Sequence, residues 1–190
     1  MESFKFKRGF KTESEKKALD YRKVLDLKTY DPLPAEIISQ YLNIKILAPS
    51  DILNNKSINY SILTSSKDWS ALTLISKVGN RIIIHNDRHS KARKESDLMH
   101  EIAHVICKHD TSERTKINGE DILLRTYNEE QEKEAEWLGG CMQLPREALL
   151  WHLRRNVSVK EIATIFSASE SMVRFRINST GVKHQAAKWY

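Results

Sequence analysis

The apolar positions change period several times along the 190 residues, and each change predicts an element. Thr12-Glu13-Ser14-Glu15 fits a capping box, so a helix is expected from there to about Leu25. Asp31-Pro32-Leu33-Pro34 breaks that pattern. A second helix is expected over residues 35–42, with Ile44-Lys45-Ile46-Leu47 as a short strand after it. Residues 49–57, rich in Asn and Ser, read as loop. Two β segments follow, residues 70–75 and 81–85, with Gly79-Asn80 as the hairpin turn between them. After a polar, basic stretch over residues 86–95, a helix is expected to start near Ser96 or Asp97. It carries Leu98, Met99, Ile102, Ala103, Val105 and Ile106, so it should be buried on most sides.

The last third reads as helices. Residues 129–142 form one with an acidic start, as the helix dipole favours, and Leu144-Pro145 closes it. A short helix is expected over residues 146–153. Ser158 and Glu161 make a second capping box for a helix that runs to Phe166, a turn follows at Ser167-Ala168-Ser169, and residues 170–178 complete a hairpin. With basic Arg174 and Arg176, this hairpin resembles a helix-turn-helix. The plainer reading is a helical subdomain packed on the core. The expected class is α+β: a small antiparallel sheet packed with helices, over residues 1–150, and a C-terminal helical, helix-turn-helix-like subdomain over residues 151–190.

Composition narrows this picture. Two cysteines make no disulfide framework, so a reducing compartment is expected. The first residues, Met1-Glu2-Ser3-Phe4-Lys5-Phe6-Lys7-Arg8, lack the apolar stretch of a signal peptide, and no run approaches the length of a membrane span. A soluble, cytoplasmic protein with no membrane partner is expected. The net charge of +6 permits attraction to nucleic acid or an acidic protein without requiring either.

The chemistry gathers at His100-Glu101-Ile102-Ala103-His104. Histidines at i and i+4 of a helix share a face and can close on one metal ion, and Glu101 can reach a water held there. Such a motif arises by chance in roughly two of a hundred chains of this kind, so its setting matters. Here the spacer and the flanks are aliphatic, unlike a surface helix. A catalytic zinc site needs a third ligand and one open position. In the acidic helix, Glu132, Ala135, Glu136 and Gly139 share a face, and small Ala135 and Gly139 let it press against the histidine helix. Glu132 is therefore the expected third ligand, and Glu136 can orient a ligand histidine. Glu129, Glu130 and Glu134 read as a solvated helix start. Cys107 and Cys141 read as buried free thiols. His89, Arg93, Tyr127 and His152 are candidate donors to a developing oxyanion, and the sequence selects none of them.

In this order, the pieces resemble the ImmA/IrrE family of zinc metallopeptidases. They include Gly9-Phe10-Lys11-Thr12 with Glu15, Asp31-Pro32-Leu33-Pro34 with Tyr41-Leu42-Asn43-Ile44, Trp69-Ser70-Ala71-Leu72-Thr73 and Arg81-Ile82-Ile83-Ile84-His85-Asn86. The metal motif, Glu132-Lys133-Glu134-Ala135-Glu136 through Leu144-Pro145, and Ser158 through Gly181-Val182 continue it. The chain departs at Glu136, where the family usually has Asn or Asp, and at Leu138-Gly139-Gly140, where Phe-Ala-Ala is common. The resemblance implies Zn2+ on His100, His104 and Glu132, catalysis by Glu101, and a zinc-dependent endopeptidase. It also implies a partner protein as substrate, a helix-turn-helix repressor of a mobile element, phage or stress operon. The competing reading is a non-catalytic regulator that binds a repressor or DNA.

Overall fold

A computed structural model describes residues 4–49, 51, 69–76, 78–110, 113–117 and 120–186. The chain is α+β, with eight helices and five strands among the described residues. Helices α1 (Phe10–Val24) and α2 (Ala35–Tyr41) lead to β1 (Ile44–Leu47), β2 (Ala71–Ser76) and β3 (Arg81–His85). Then come α3 (Lys91–Cys107), β4 (Glu113–Ile117) and β5 (Glu120–Leu124). Helices α4 (Glu129–Gln143), α5 (Arg146–Leu153), α6 (Val159–Ile165), α7 (Glu170–Thr180) and α8 (Val182–Ala186) complete the order. None of the described helices is long and apolar enough to cross a membrane. The loop expected over residues 49–57 falls almost wholly outside the described residues.

The sheet corrects one expectation: it is mixed, not antiparallel. Its order is β1-β3-β2-β5-β4. β2 and β3 pair antiparallel about the turn at Gly79, whose φ of 84° suits glycine. β1 pairs with β3 in parallel, Ile44 against Arg81 through Leu47 against Ile84. The Gly79-Asn80 turn signals the β2–β3 pairing and says nothing of β1. The partner of β1 is fixed by packing of α2 and β1 against the same core, which no turn residue announces.

Period-two alternation gives the sheet two faces. Ile44, Ile83 and Ala71 join α1, α2, α3 and α4 in the main core, with Leu98, Met99, Ile102, Leu138 and Met142 fully buried at its centre. Leu72, Leu74, Ile82 and Ile84 form a smaller cluster with Leu47 and Trp69.

Two helix starts differ from expectation. α1 begins at Phe10 behind Gly9, with no side-chain cap, because Phe10 stacks on Phe6 (5.4 Å between ring centroids) and draws the start forward. Glu15 is thereby released from any cap. α3 begins at Lys91, not near Ser96, because Ser90 caps it by accepting the Arg93 N–H. Its first turns are pinned to α2 by Glu95, buried, whose carboxylate accepts the Ala35 N–H at 2.6 Å. Burial raises the Glu95 carboxyl above its ordinary value.

Leu144, Leu149, Ile162, Phe166, Val173 and Val182 form a second core across α5 to α8, with Tyr30 packed against it. The capping box at Ser158 and Glu161 is present. Arg176, one of the two basic residues noted in the hairpin, is buried. Its Nε donates to the Leu144 carbonyl at 3.1 Å and its Nη2 to Glu15. The second Glu15 oxygen accepts the Arg146 N–H at 2.9 Å. Arg174 is exposed and paired with Glu170 within α7. Of the two arginines behind the resemblance to a helix-turn-helix, one is held inside the protein.

Candidate metal centre

The two histidines of α3 stand one turn apart, and their Nε2 atoms lie 3.0 Å from each other. His100 Nε2 is 3.0 Å from Glu132 Oε2, and His104 Nε2 is 3.5 Å from Glu132 Oε1. A tetrahedral zinc ion with bonds of about 2.0–2.1 Å sets its ligands roughly 3.3 Å apart. Two imidazole nitrogens and a carboxylate at these separations fit one divalent ion and leave one position open. His100, His104 and Glu132 therefore form a possible metal-binding triad.

Close helix packing brings Glu132 there. A Cβ at Gly139 would lie 3.1 Å from the Met99 carbonyl oxygen and 3.2 Å from the His100 nitrogen. The α3 and α4 backbones thus approach closely beside the first histidine. Asn128 caps α4 by accepting the Gln131 N–H, and Glu132 sits in its first turn.

Glu101 turns toward the sheet and is buried. Its Oε2 accepts from the Thr73 hydroxyl on β2. Arg125 Nη2 lies 3.2 and 3.1 Å from the two Glu101 oxygens. Arg125 Nη1 is 3.3 Å from Glu132 Oε1 and also contacts His104 Nδ1. Sequence reasoning missed Arg125 because it missed the β4–β5 pair that precedes it. The signal was available: Asn118-Gly119 between two residue runs is a strong hairpin dipeptide.

His109 was missed as well. It follows Lys108, which ends α3 in the left-handed conformation (φ 56°) and redirects the chain toward the site. His109 Nδ1 is 2.7 Å from His104 Nδ1, and His109 Nε2 is 3.1 Å from Glu134 Oε2. Two expectations are corrected here. Glu136 is exposed, and Glu134, read as solvated, is buried. At about 100° per residue, Glu136 lies about 40° further round α4 than Glu132 and leaves the packed face. Glu134 is covered by His109 from the far end of α3.

Burial, the neighbouring Arg125 and the two flanking histidines push the His104 imidazole down to about 2, so it is neutral and one of its two ring nitrogens is bare. Burial also lowers His109, against the pull of Glu134. Cys107 and Cys141 are free thiols held protonated by burial, at about 11 and about 12. Of the four oxyanion candidates, His152 packs against Phe166 and Trp151 in the second core and contacts the Tyr30 carbonyl. It belongs to another region. Tyr127 is exposed. His89 Nδ1 is 2.7 Å from Asp97, which Arg93 also approaches at 3.9 Å.

The family model of the IrrE N-terminal-like domain, Peptidase_M78, matches residues 41–178. This chain belongs to that peptidase family. The IrrE-like match runs from the end of α2 into α7. It includes α3, α4 and all five strands, hence every side chain named above at the triad. No curated protein matches the chain.

Proposed function

We propose that this chain is a zinc-dependent endopeptidase that cleaves a helix-turn-helix transcriptional repressor, in the control of a mobile element or a stress response. Membership of the IrrE-like peptidase family supports the peptidase reading. The observation that carries it is Glu101, a buried carboxylate held beside the His100–His104–Glu132 triad by Thr73 and Arg125. A site that only held a metal for structure would have no use for it. The repressor as substrate follows the resemblance to ImmA/IrrE proteins.

Two imidazoles with one carboxylate suit zinc among the common divalent ions. Held by His100, His104 and Glu132, zinc would supply Lewis acidity toward a scissile carbonyl and toward water at its open position. Glu101 then takes a proton at its carboxylate and returns it to the leaving amine. Thr73 and Arg125 fix the orientation of that carboxylate before substrate arrives. Arg125, with a cationic fork already in contact with Glu132, can donate to developing negative charge at the site.

Glu101→Gln should keep zinc and lose cleavage, while Glu132→Ala should lose zinc. Captured from the native host, Glu101→Gln should retain a DNA-binding repressor that wild type shortens. The same intact partner on both proteins would mean a binding role and end the protease reading.

A further inference from the structure

We propose that His109 and Glu134 are positioning residues that fix the tautomer of His104, so that its Nε2 lone pair faces the triad. This rests on the reading of His104 as a metal ligand. A neutral imidazole carries one proton, on either Nδ1 or Nε2, and can bind a metal only through the bare nitrogen. Which nitrogen is bare is decided by what the other one meets. His104 Nε2 faces His100 and Glu132, and its Nδ1 faces His109 Nδ1 at 2.7 Å.

Followed from Glu134 through His109, the contacts give one proton assignment that leaves His104 open to a metal. Glu134 is a carboxylate and accepts, so His109 carries its proton on Nε2 and donates it over 3.1 Å. His109 Nδ1 is then bare and accepts the Nδ1 proton of His104. That leaves His104 Nε2 bare. Arg125 Nη1 also touches His104 Nδ1 and, because a guanidinium only donates, it competes with His109 for that nitrogen by favouring the opposite tautomer. With the proton on Nδ1, Arg125 is left to Glu101 and Glu132, where it has partners already. The side chains are sheltered: His104, His109 and Glu134 are 1%, 5% and 11% exposed. Little water competes for these bonds, so their direction decides the tautomer.

Asn and Leu at position 109 have nearly the same shape, but only Asn keeps an acceptor near the Nδ1 position. Zinc affinity is read by competition with a chromogenic chelator. The His104 tautomer is read in the metal-free protein from long-range proton–nitrogen spectra of 15N-histidine. His109→Leu should weaken zinc binding about 10- to 100-fold and move the His104 proton to Nε2. His109→Asn should stay within about threefold of wild type and keep the proton on Nδ1. Equal affinities for Leu and wild type, or equal losses for Leu and Asn with an unchanged spectrum, overturn the proposal. If the leucine variant does not fold, Glu134→Leu carries the test: unchanged zinc affinity and tautomer overturn it too. His104→Ala separates the two readings. Its loss of zinc with a silent His109→Leu ends only the positioning role, whereas wild-type affinity in His104→Ala ends the ligand reading itself.

Discussion

Thr73 shows how a single hydroxyl can matter at this site. It is buried on β2 and gives its proton to Glu101. Thr73→Val keeps the shape and removes that bond, which should cost about 1–2 kcal/mol in stability. It should also lower the rate of cleavage about tenfold with zinc content unchanged, because Glu101 keeps only Arg125. Parallel zinc and rate measurements check this, and an unaltered rate refutes it. Histidines remote from the triad give a second prediction. Burial lowers His85 and His152 below their ordinary value of 6.5. Below pH 6.5 the unfolded chain therefore binds protons that the folded chain refuses, and stability falls as pH falls. The slope is up to about 1.4 kcal/mol per pH unit for each such group. The urea midpoint should be lower at pH 5.5 than at pH 7.5, and the drop should shrink in His152→Gln. At this scale the sequence located His100, Glu101, His104 and Glu132 as neighbours through helical spacing. It did not locate Arg125, His109 or Glu134, whose places depend on a strand pair and on where α3 ends.

Among the elements, α3 and α4 form the contact on which the triad geometry depends. A methyl group at Gly139 would be crowded at 3.1–3.2 Å by backbone atoms of Met99 and His100, which can give way only if the helices part. Gly139→Ala should push the helices apart, cost about 1–3 kcal/mol and weaken zinc binding. Gly140→Ala meets no backbone atom, only the Arg176 side chain at 3.3 Å, so it should do less on both counts. Thermal melts and zinc titrations of the two variants check the order, and a reversed order refutes it. Helices with strong periodicity and caps were legible, α6 and its capping box most of all. α1 and α3 were legible as helices but not in their first residues, because an aromatic stack and an unnoticed serine cap set those starts. The parallel pairing of β1 was not legible, because parallel neighbours leave no hairpin dipeptide behind.

Across the whole molecule, buried arginines join parts that are far apart in sequence. Arg22 is fully buried and donates to the carbonyls of Asp31, Ala18 and Met142. Burial lowers it to about 10, and it remains charged at neutral pH. Arg176 ties α7 to Glu15 on α1. Removing one member of a buried pair leaves the other charge without compensation, which costs about 3–5 kcal/mol. Glu15→Ala should therefore destabilise the protein by about that amount, and the double variant Glu15→Ala with Arg176→Met should recover part of it. Urea unfolding of wild type, Glu15→Ala, Arg176→Met and the double variant gives the coupling, and strict additivity would refute the pairing.

The tether of Glu15 also has a consequence in time. Its partners lie 131 and 161 residues further along the chain. At a synthesis rate of roughly 5–20 residues per second, Glu15 waits on the order of ten seconds or more for residue 176 to be made. During that interval α1 exposes a carboxylate meant for the interior, beside apolar surface meant for α4. A nascent chain halted before α7 should therefore be protease-sensitive over residues 10–24, and one extended past residue 186 should not.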